Sequence, residues 1–280
     1  LNHLEKFARF IKIEHTLFSL PLIYSGVFLA AKESPSFSLL VLVFIGATGA
    51  RTAALALNRI IDREIDRRNP RTIVRELPSG RMTLLEALGV LALGVMIYFG
   101  AAAMISAFCL LLAPIPLIVF TLYPYMKRFT PFAHFGVGLG LAMGPLGGWF
   151  AVQNSFDNLL PGLLLSLFTL FWVAGFDIIY STLDEVFDRE QNLFSFSSVF
   201  GKKRALRYSA LLHIAAFMAL VVLFVLSIQA IAAVPFLVLS GILLYLEQKK
   251  ADNVELAFFR INAVLGFNIL GMIVTGVYFG

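Results

Sequence analysis

The 280-residue chain holds 59% hydrophobic and only 14% charged residues, with a mean hydropathy of +0.87. Soluble domains carry about a quarter charged residues, so this composition excludes one and requires an integral membrane protein. The net charge of +5 reflects where basic residues sit along the chain and calls for no nucleic-acid partner, and the one cysteine, Cys109 in an apolar run, excludes an internal disulfide.

In chain order, nine apolar stretches are long enough, or nearly so, to cross about 30 Å of hydrocarbon: 15–31, 38–58, 83–103, 104–122, 132–152, 159–180, 205–227, 230–246 and 257–279. The expected fold is an all-α polytopic membrane bundle of about nine transmembrane helices around a central cavity, forming one domain over residues 1–280. The first stretch follows a basic segment, as a signal peptide would, yet no small-residue cleavage site precedes Lys32, so it reads as a retained span. No charged loop separates the third and fourth stretches, and their division rests on total length and on Pro114 and Pro116 as breakers.

Basic residues alternate across these stretches. Lys6, Arg9 and Lys12, the seven arginines from Arg59 to Arg81, Lys127 and Arg128, Arg189 with Lys202, Lys203, Arg204 and Arg207, and Lys249, Lys250 and Arg260 share one side, 20 of the 22 basic residues. Lys32 is opposite and Arg51 lies inside a span. The positive-inside rule makes the crowded side cytoplasmic, with a cytoplasmic N terminus.

Two acidic stretches end apolar runs on that same side: Asn58-x-x-x-Asp62-x-x-x-Asp66 after the second, and Asp177-Ile-Ile-Tyr180-Ser-Thr-Leu-Asp184-x-x-x-Asp188 after the sixth. At helical spacing Asn58, Asp62 and Asp66 form one stripe, and Asp177, Asp184 and Asp188 another. Magnesium takes oxygen ligands and is usually held by one or two carboxylates plus substrate phosphates, so two facing stripes suit a metal-diphosphate site. Each motif is followed by a basic loop, a thin internal repeat.

Arg51 lies seven residues before Asn58 on the same face, about 10 Å deeper. There it either pairs with Glu14 or Asp177 or offers a guanidinium fork to a substrate carboxylate or phosphate. The loop from Asn69 to Arg81 is too rich in Pro and Gly to extend the helix, and its Arg71 and Arg75 either cap the site or lie at anionic headgroups. Tyr123-x-x-x-Lys127-Arg128 is an interfacial anchor by itself and a diphosphate clamp beside two acidic motifs on its face. His3, His15, His134 and His213 lack metal-ligand spacing and read as packing or interfacial residues.

These motifs, with Arg-Asn-Pro-Arg-Thr at 68–72 and Leu-Pro-Ser-Gly at 77–80, resemble the UbiA superfamily of intramembrane prenyltransferases from the first span to the seventh. Within it the chain is similar to the 4-hydroxybenzoate polyprenyltransferases and the related menaquinone-pathway branch. The resemblance implies two Mg2+ ions held by Asp62, Asp66, Asp184 and Asp188, assisted by Asn58 and Asp177, binding the diphosphate of an allylic polyprenyl donor. It implies that Lys127, Arg128 and Arg71 or Arg75 neutralise charge as the carbon–oxygen bond breaks. Tyr123 and Tyr180 would face the allyl cation, and Arg51 would hold the acidic group of an aromatic acceptor, 4-hydroxybenzoate-like or a naphthoate, in quinone biosynthesis.

Two departures bear on the acceptor: Glu76 where many relatives carry Pro, and Asn192-Leu-Phe-Ser-Phe-Ser where a His-Ser-Ile-Pro pattern is common. Geranylgeranyl transfer to a glycerol phosphate in ether-lipid synthesis would use the same donor half. A secondary transporter would also bury carboxylates, but near the midplane rather than at span ends. The expected partners are the prenyl diphosphate, the acceptor and the bilayer, with the protein a multi-pass component of the cytoplasmic membrane.

Overall fold

The stretches that read as spans form helices. The computed structural model describes residues 10, 16–31, 33–254 and 260–279. Lys6, Arg9, Lys12 and Lys32 of the charge pattern, Glu14 as a partner for Arg51, and His3 and His15 lie outside the described residues. In chain order the helices are α1 (Thr16–Ala30), α2 (Phe37–Ile61), α3 (Arg63–Arg68), α4 (Leu84–Ile105), α5 (Ala107–Leu112), α6 (Pro114–Met126) and α7 (Ala133–Gln153). They continue with α8 (Leu160–Ser181), α9 (Glu185–Glu190), α10 (Phe196–Phe200), α11 (Lys202–Leu223), α12 (Val234–Lys249) and α13 (Asn262–Tyr278).

Among the described residues there is no strand, and seven helical segments are long and apolar enough to cross a membrane. These are α2, α4, α5 joined to α6, α7, α8, α11 extended to Ile228, and α12 with its preceding turn; α1 and α13 are apolar and shorter. In hydrocarbon each backbone group must be satisfied within its own segment, which leaves a helix as the available form. Large apolar side chains on α4 to α6, such as Leu93, Met96, Met104, Leu111 and Ile118, stay exposed on the bundle's outside, where lipid replaces protein contacts.

The third and fourth spans divide at Ser106 rather than at the prolines. Ser106 has extended backbone (φ −168°, ψ 160°), and its Oγ accepts the Cys109 N–H at 3.0 Å, ending α4 and capping α5 in one residue. Pro114 and Pro116 fall at the start of α6, where a missing N–H interrupts little, and they join α5 to α6 within one span.

Helix α8 is the buried axis. Leu165, Phe168, Trp172 and Val173 on it are fully buried against α11, α12 and α13. Trp172 Nε1 donates to Asn262 Oδ1 (2.9 Å), whose Nδ2 donates to Glu247 Oε1 (3.0 Å), so polar groups inside this core tie three helices together. On the other side α2 packs along α4 and α6, and α7 lies between α1, α6 and α8. A Cβ on Gly26 would lie 2.0 Å from Pro145 O and one on Gly148 2.1 Å from Ile23 O, so α1 and α7 cross backbone to backbone as small residues allow in lipid. Between α1, α2 and α4 to α8 remains a cavity of about 570 Å³, mostly apolar, with Ser19, Arg51, Tyr98, Tyr123 and Asp177 among its lining residues.

Candidate active site

Each acidic motif sits on a broken helix, not on one continuous stripe. Helix α2 ends at Ile61, and Asp62 (φ −92°, ψ 1°) starts the short α3; α8 ends at Ser181, and Asp184 (φ −109°, ψ 7°) starts the short α9. The second break has a local cause. Ser181 and Thr182 turn their hydroxyls onto Ile178 O and Ile179 O (2.8 and 2.7 Å), offering the backbone an alternative to further helix. The two motifs then match: Asp66 N–H donates to Asp62 O and Asp188 N–H to Asp184 O, both at 2.8 Å. Asn58, Asp62 and Asp66 stay together, but Asp177 stands on α8, beyond the break from Asp184 and Asp188.

Basic side chains join the motifs. Lys127 Nζ donates to Asp62 Oδ2 (2.6 Å), Arg75 Nη1 to Asp66 Oδ2 (2.7 Å), and Arg128 Nη2 caps α2 at Ile61 O (3.0 Å) while lying 3.7 Å from Asp62 Oδ1. The loop after the first motif reaches the second. Asn69 Nδ2 and Arg71 Nε both donate to Asp184 Oδ1 at 2.9 Å, Arg71 Nη2 holds Asp184 Oδ2, and Arg71 Nη1 donates to the Tyr180 hydroxyl (2.6 Å). From the other side, the Phe194 N–H donates to Lys127 O (2.7 Å), tying the loop after the second motif to the clamp. Asn58 Nδ2 donates to Asp62 Oδ2 (3.2 Å).

Both departures from the family pattern have structural work. Glu76 is buried between Arg59 (3.8 Å) and Arg81 (3.9 Å) and pins the 69–82 loop. Ser195 caps α10 and hydrogen-bonds Asp188, and the Phe196 N–H donates to His134 Nε2 at 3.3 Å. That last bond leaves Nε2 as an acceptor, so His134 carries its proton on Nδ1, which donates to Asp177 Oδ2 at 2.7 Å. His134 is therefore no mere packing residue. The residues missed in the sequence are His134, Asn69 and Ser195; an ionisable side chain at the start of a span was the available signal for the first.

Of the remaining expected residues, Arg51, Tyr123 and Asp177 share the cavity, and Arg51 Nη1 donates to Ser19 Oγ at 3.4 Å. Tyr180 does not line it. The Arg71 guanidinium lies 5.0 Å over one face of the Tyr180 ring.

Electrostatics distinguish the acids. Burial pushes the Asp62 carboxyl above the usual carboxylate range, against the pull of Lys127. For Asp184 burial opposes the charge, but the hydrogen bonds from Arg71 and Asn69 prevail and hold the carboxyl below that range. Asp188 is pushed up to about 6, by burial first, with the Asp184 charge adding and the Ser195 hydrogen bond opposing. Among the described residues no three carboxylate, His or Cys side chains converge as a ligand cluster. The oxygen-only set nevertheless fits a hard cation. Asp62 Oδ1 is buried without a hydrogen-bond donor, an anionic oxygen of the kind Mg2+ coordinates.

A membrane-spanning bundle with paired acidic motifs and a basic clamp beside one apolar cavity is the arrangement of an intramembrane enzyme. The chain belongs to the UbiA prenyltransferase family, whose pattern matches residues 19–263, and it is a prenyltransferase integral to a membrane. It is 29% identical over 199 residues to a 4-hydroxybenzoate octaprenyltransferase of Francisella tularensis subsp. novicida (strain U112), covering 71% of this chain and 69% of that one. The apo structure of a UbiA homologue from Aeropyrum pernix K1 superposes with a TM-score of 0.87 at 34% identity, over 94% of this chain and 98% of its own. A UbiA homologue from Archaeoglobus fulgidus bound to DMAPP and Mg2+ shares the fold at 18% identity, with a TM-score of 0.74 over 96% and 99% of the two chains.

Proposed function

We propose that the chain transfers a polyprenyl group from an allylic polyprenyl diphosphate to an aromatic acceptor, 4-hydroxybenzoate-like or a naphthoate, for quinone synthesis at the cytoplasmic face of the cell membrane. The observation that carries this reading is the linkage of both acidic motifs, through Lys127 and Arg71, beside a cavity that holds Arg51, Tyr123 and Asp177. Charge placement supports a cytoplasmic N terminus and puts both motifs on that side.

Asp62, Asp66, Asp184 and Asp188, with Asn58 beside Asp62, are the residues that would hold Mg2+. When bound, the ions supply charge that polarises the diphosphate oxygens and orients the leaving group. Lys127, Arg128, Arg71 and Arg75 stand among the acids and receive the diphosphate as the allylic carbon–oxygen bond breaks and its electron pair leaves with oxygen. Tyr123 faces the cavity where positive charge develops on the allyl carbon. Arg51 takes the acceptor's carboxylate. The ring forms the new carbon–carbon bond, and its displaced proton passes to the carboxylate of Asp177, which His134 Nδ1–H holds in place.

The test uses purified protein in detergent with Mg2+, labelled geranylgeranyl diphosphate and three acceptors: 4-hydroxybenzoate, a dihydroxynaphthoate and geranylgeranylglyceryl phosphate. One prenylated aromatic product, lost in Asp62→Ala and Asp184→Ala, is the expected result. Product with the glycerol phosphate alone would reassign the acceptor, and no diphosphate release with any acceptor would sink the transferase reading.

A further inference from the structure

A ring of buried polar contacts leaves α8 at Gly175 and returns to it at Trp172. Ser209 Oγ on α11 donates to Gly175 O (2.7 Å). The Gln248 Nε2 amide on α12 donates one proton to Ser209 Oγ (2.7 Å) and the other to His213 Nδ1 (2.9 Å). With Nδ1 an acceptor, the His213 ring carries its proton on Nε2, which lies 3.8 Å from Glu247 Oε2; neither atom has a hydrogen-bond partner. Glu247 Oε1, Asn262 and Trp172 Nε1 then lead back to α8. Ser209, His213, Glu247, Asn262 and Trp172 are buried, and Gln248 is half-buried at the rim. Ionisable side chains inside a membrane bundle are costly, and apolar residues often pack as stably in their place. What directional bonds add is a fixed rotation and axial position for α8.

The ring grips α8 directly behind Asp177. A Cβ on Gly175 would lie 2.3 Å from His213 Cδ2 and 2.4 Å from its Nε2, so the imidazole rests on bare backbone that any side chain would cover. Two residues on is about 200° round a helix. With His213 behind Gly175, Asp177 therefore points the opposite way, into the cavity and onto His134 Nδ1. The helix ends soon after, at Ser181, so little of α8 lies beyond this point to hold its direction. We propose that His213, set by Gln248 and Glu247, is a positioning residue for Asp177: it fixes α8 from behind while His134 fixes the carboxylate from the front; this rests on the transferase reading above, with Asp177 as the proton acceptor. The acids past the break are held separately, Asp184 by Asn69 and Arg71 and Asp188 by Ser195. Displacing α8 at Gly175 thus acts on turnover and not on donor binding.

The experiment measures kcat, Mg2+-dependent donor binding without acceptor, and thermal unfolding, using the full chain in detergent. His213→Ala should lower kcat at least about tenfold, the scale of loss that a misplacement of about 1 Å produces, with donor affinity within about twofold of wild type. Gly175→Ala, which drives a methyl group into the imidazole, should act in the same direction. The double variant, in which that methyl meets vacated space, should lose less than either single one. Combined with His134→Ala, His213→Ala should lose less than the product of the two separate losses, because both act through one carboxylate. Ser240→Ala is the control: it removes a buried hydrogen bond from Asn268 Nδ2 (2.8 Å), about 10 Å along α12 from Glu247, and should lower the Tm without changing kcat. Should His213→Ala fail to fold, Gln248→Leu at the rim tests the same ring of contacts. Folded His213→Ala or Gln248→Leu protein turning over at the wild-type rate, whatever its Tm, overturns the inference alone. So does donor affinity that falls in step with kcat, or a loss that multiplies fully with that of His134→Ala. Failure of wild-type protein to turn over with any acceptor refutes the transferase reading and this inference with it.

Discussion

Replacing His134 separates two roles for Asp177. At helical spacing Asp177 falls with the metal carboxylates, whereas the structure turns it to His134 inside the cavity. His134 is buried and the Asp177 side chain keeps 23% of its surface accessible, so the bond between them is partly sheltered. A hydrogen bond to a charged group contributes roughly 1.5–3 kcal/mol. Taking about 2 kcal/mol for this one, loss of orientation in His134→Ala should lower kcat about 30-fold. His134→Asn, whose amide can donate from near the Nδ1 position, should recover much of that loss. The assay pairs steady-state kcat with Mg2+-dependent donor binding measured without acceptor, and thermal unfolding checks that each variant is folded. Donor affinity should stay within about twofold of wild type because no donor group contacts His134 on this reading. Donor affinity falling in step with kcat would refute the reasoning and return Asp177 to the metal set.

The remaining predictions concern the clamp, the acids and the helix packing. Lys127→Met removes a cation from the leaving group and should lower kcat about 10²–10³-fold, read by single-turnover product formation; an unchanged rate would leave Lys127 as an interfacial anchor. The raised carboxyl of Asp188, near 6, makes Mg2+ binding pH-dependent. Its folded form keeps the proton, so its contribution to stability is full below the ordinary carboxylate range and lost as pH rises through about 6, the same rise that supplies the anion a cation needs. Added Mg2+ should therefore raise the Tm at pH 7.5 much more than at pH 5, and an equal shift at both would exclude Asp188 as a ligand. Gly148→Val forces a side chain onto Ile23 O and should cost about 3 kcal/mol in chemical unfolding, while Gly147→Ala one residue away, with open space at its Cβ, should be neutral or gain up to about 1 kcal/mol.

Much of this was legible because membrane helices advertise themselves. Nine apolar stretches became helices, seven of spanning length and two shorter, and the basic residues between them marked the loops. Division of the third and fourth spans was visible only as a length argument. Its cause, a serine that ends one helix and caps the next, leaves no apolar or charged trace in a hydropathy profile. The acid motifs were readable as residue types but not as geometry. Periodicity carries Asp177 into line with Asp184 only if the helix continues, and hydroxyls at Ser181 and Thr182 end it. His134 was missed for a related reason: its partner is 43 residues away, and its tautomer is fixed by the backbone of Phe196, a residue in a stretch that departs from the family pattern.

The pairing of every motif acid bears on how a diphosphate enters. Four carboxylates gathered at one end of a membrane bundle would repel one another and resist desolvation. Here Asp62, Asp66 and Asp184 are each held by Lys127, Arg75 or Arg71, and Asp188 by Ser195, with Arg128 close to Asp62. The site is thus held together by the groups that, on the transferase reading, the donor needs. On that reading, binding would be an exchange of partners: the acids are the residues that would hold the metal ions, and the released lysine and arginines would take the diphosphate oxygens. It also gives Arg71 two tasks. While it holds Asp184 and Tyr180, the loop after the first motif is tied down over the second; on that reading, once it turns to the diphosphate, that tie passes to the substrate.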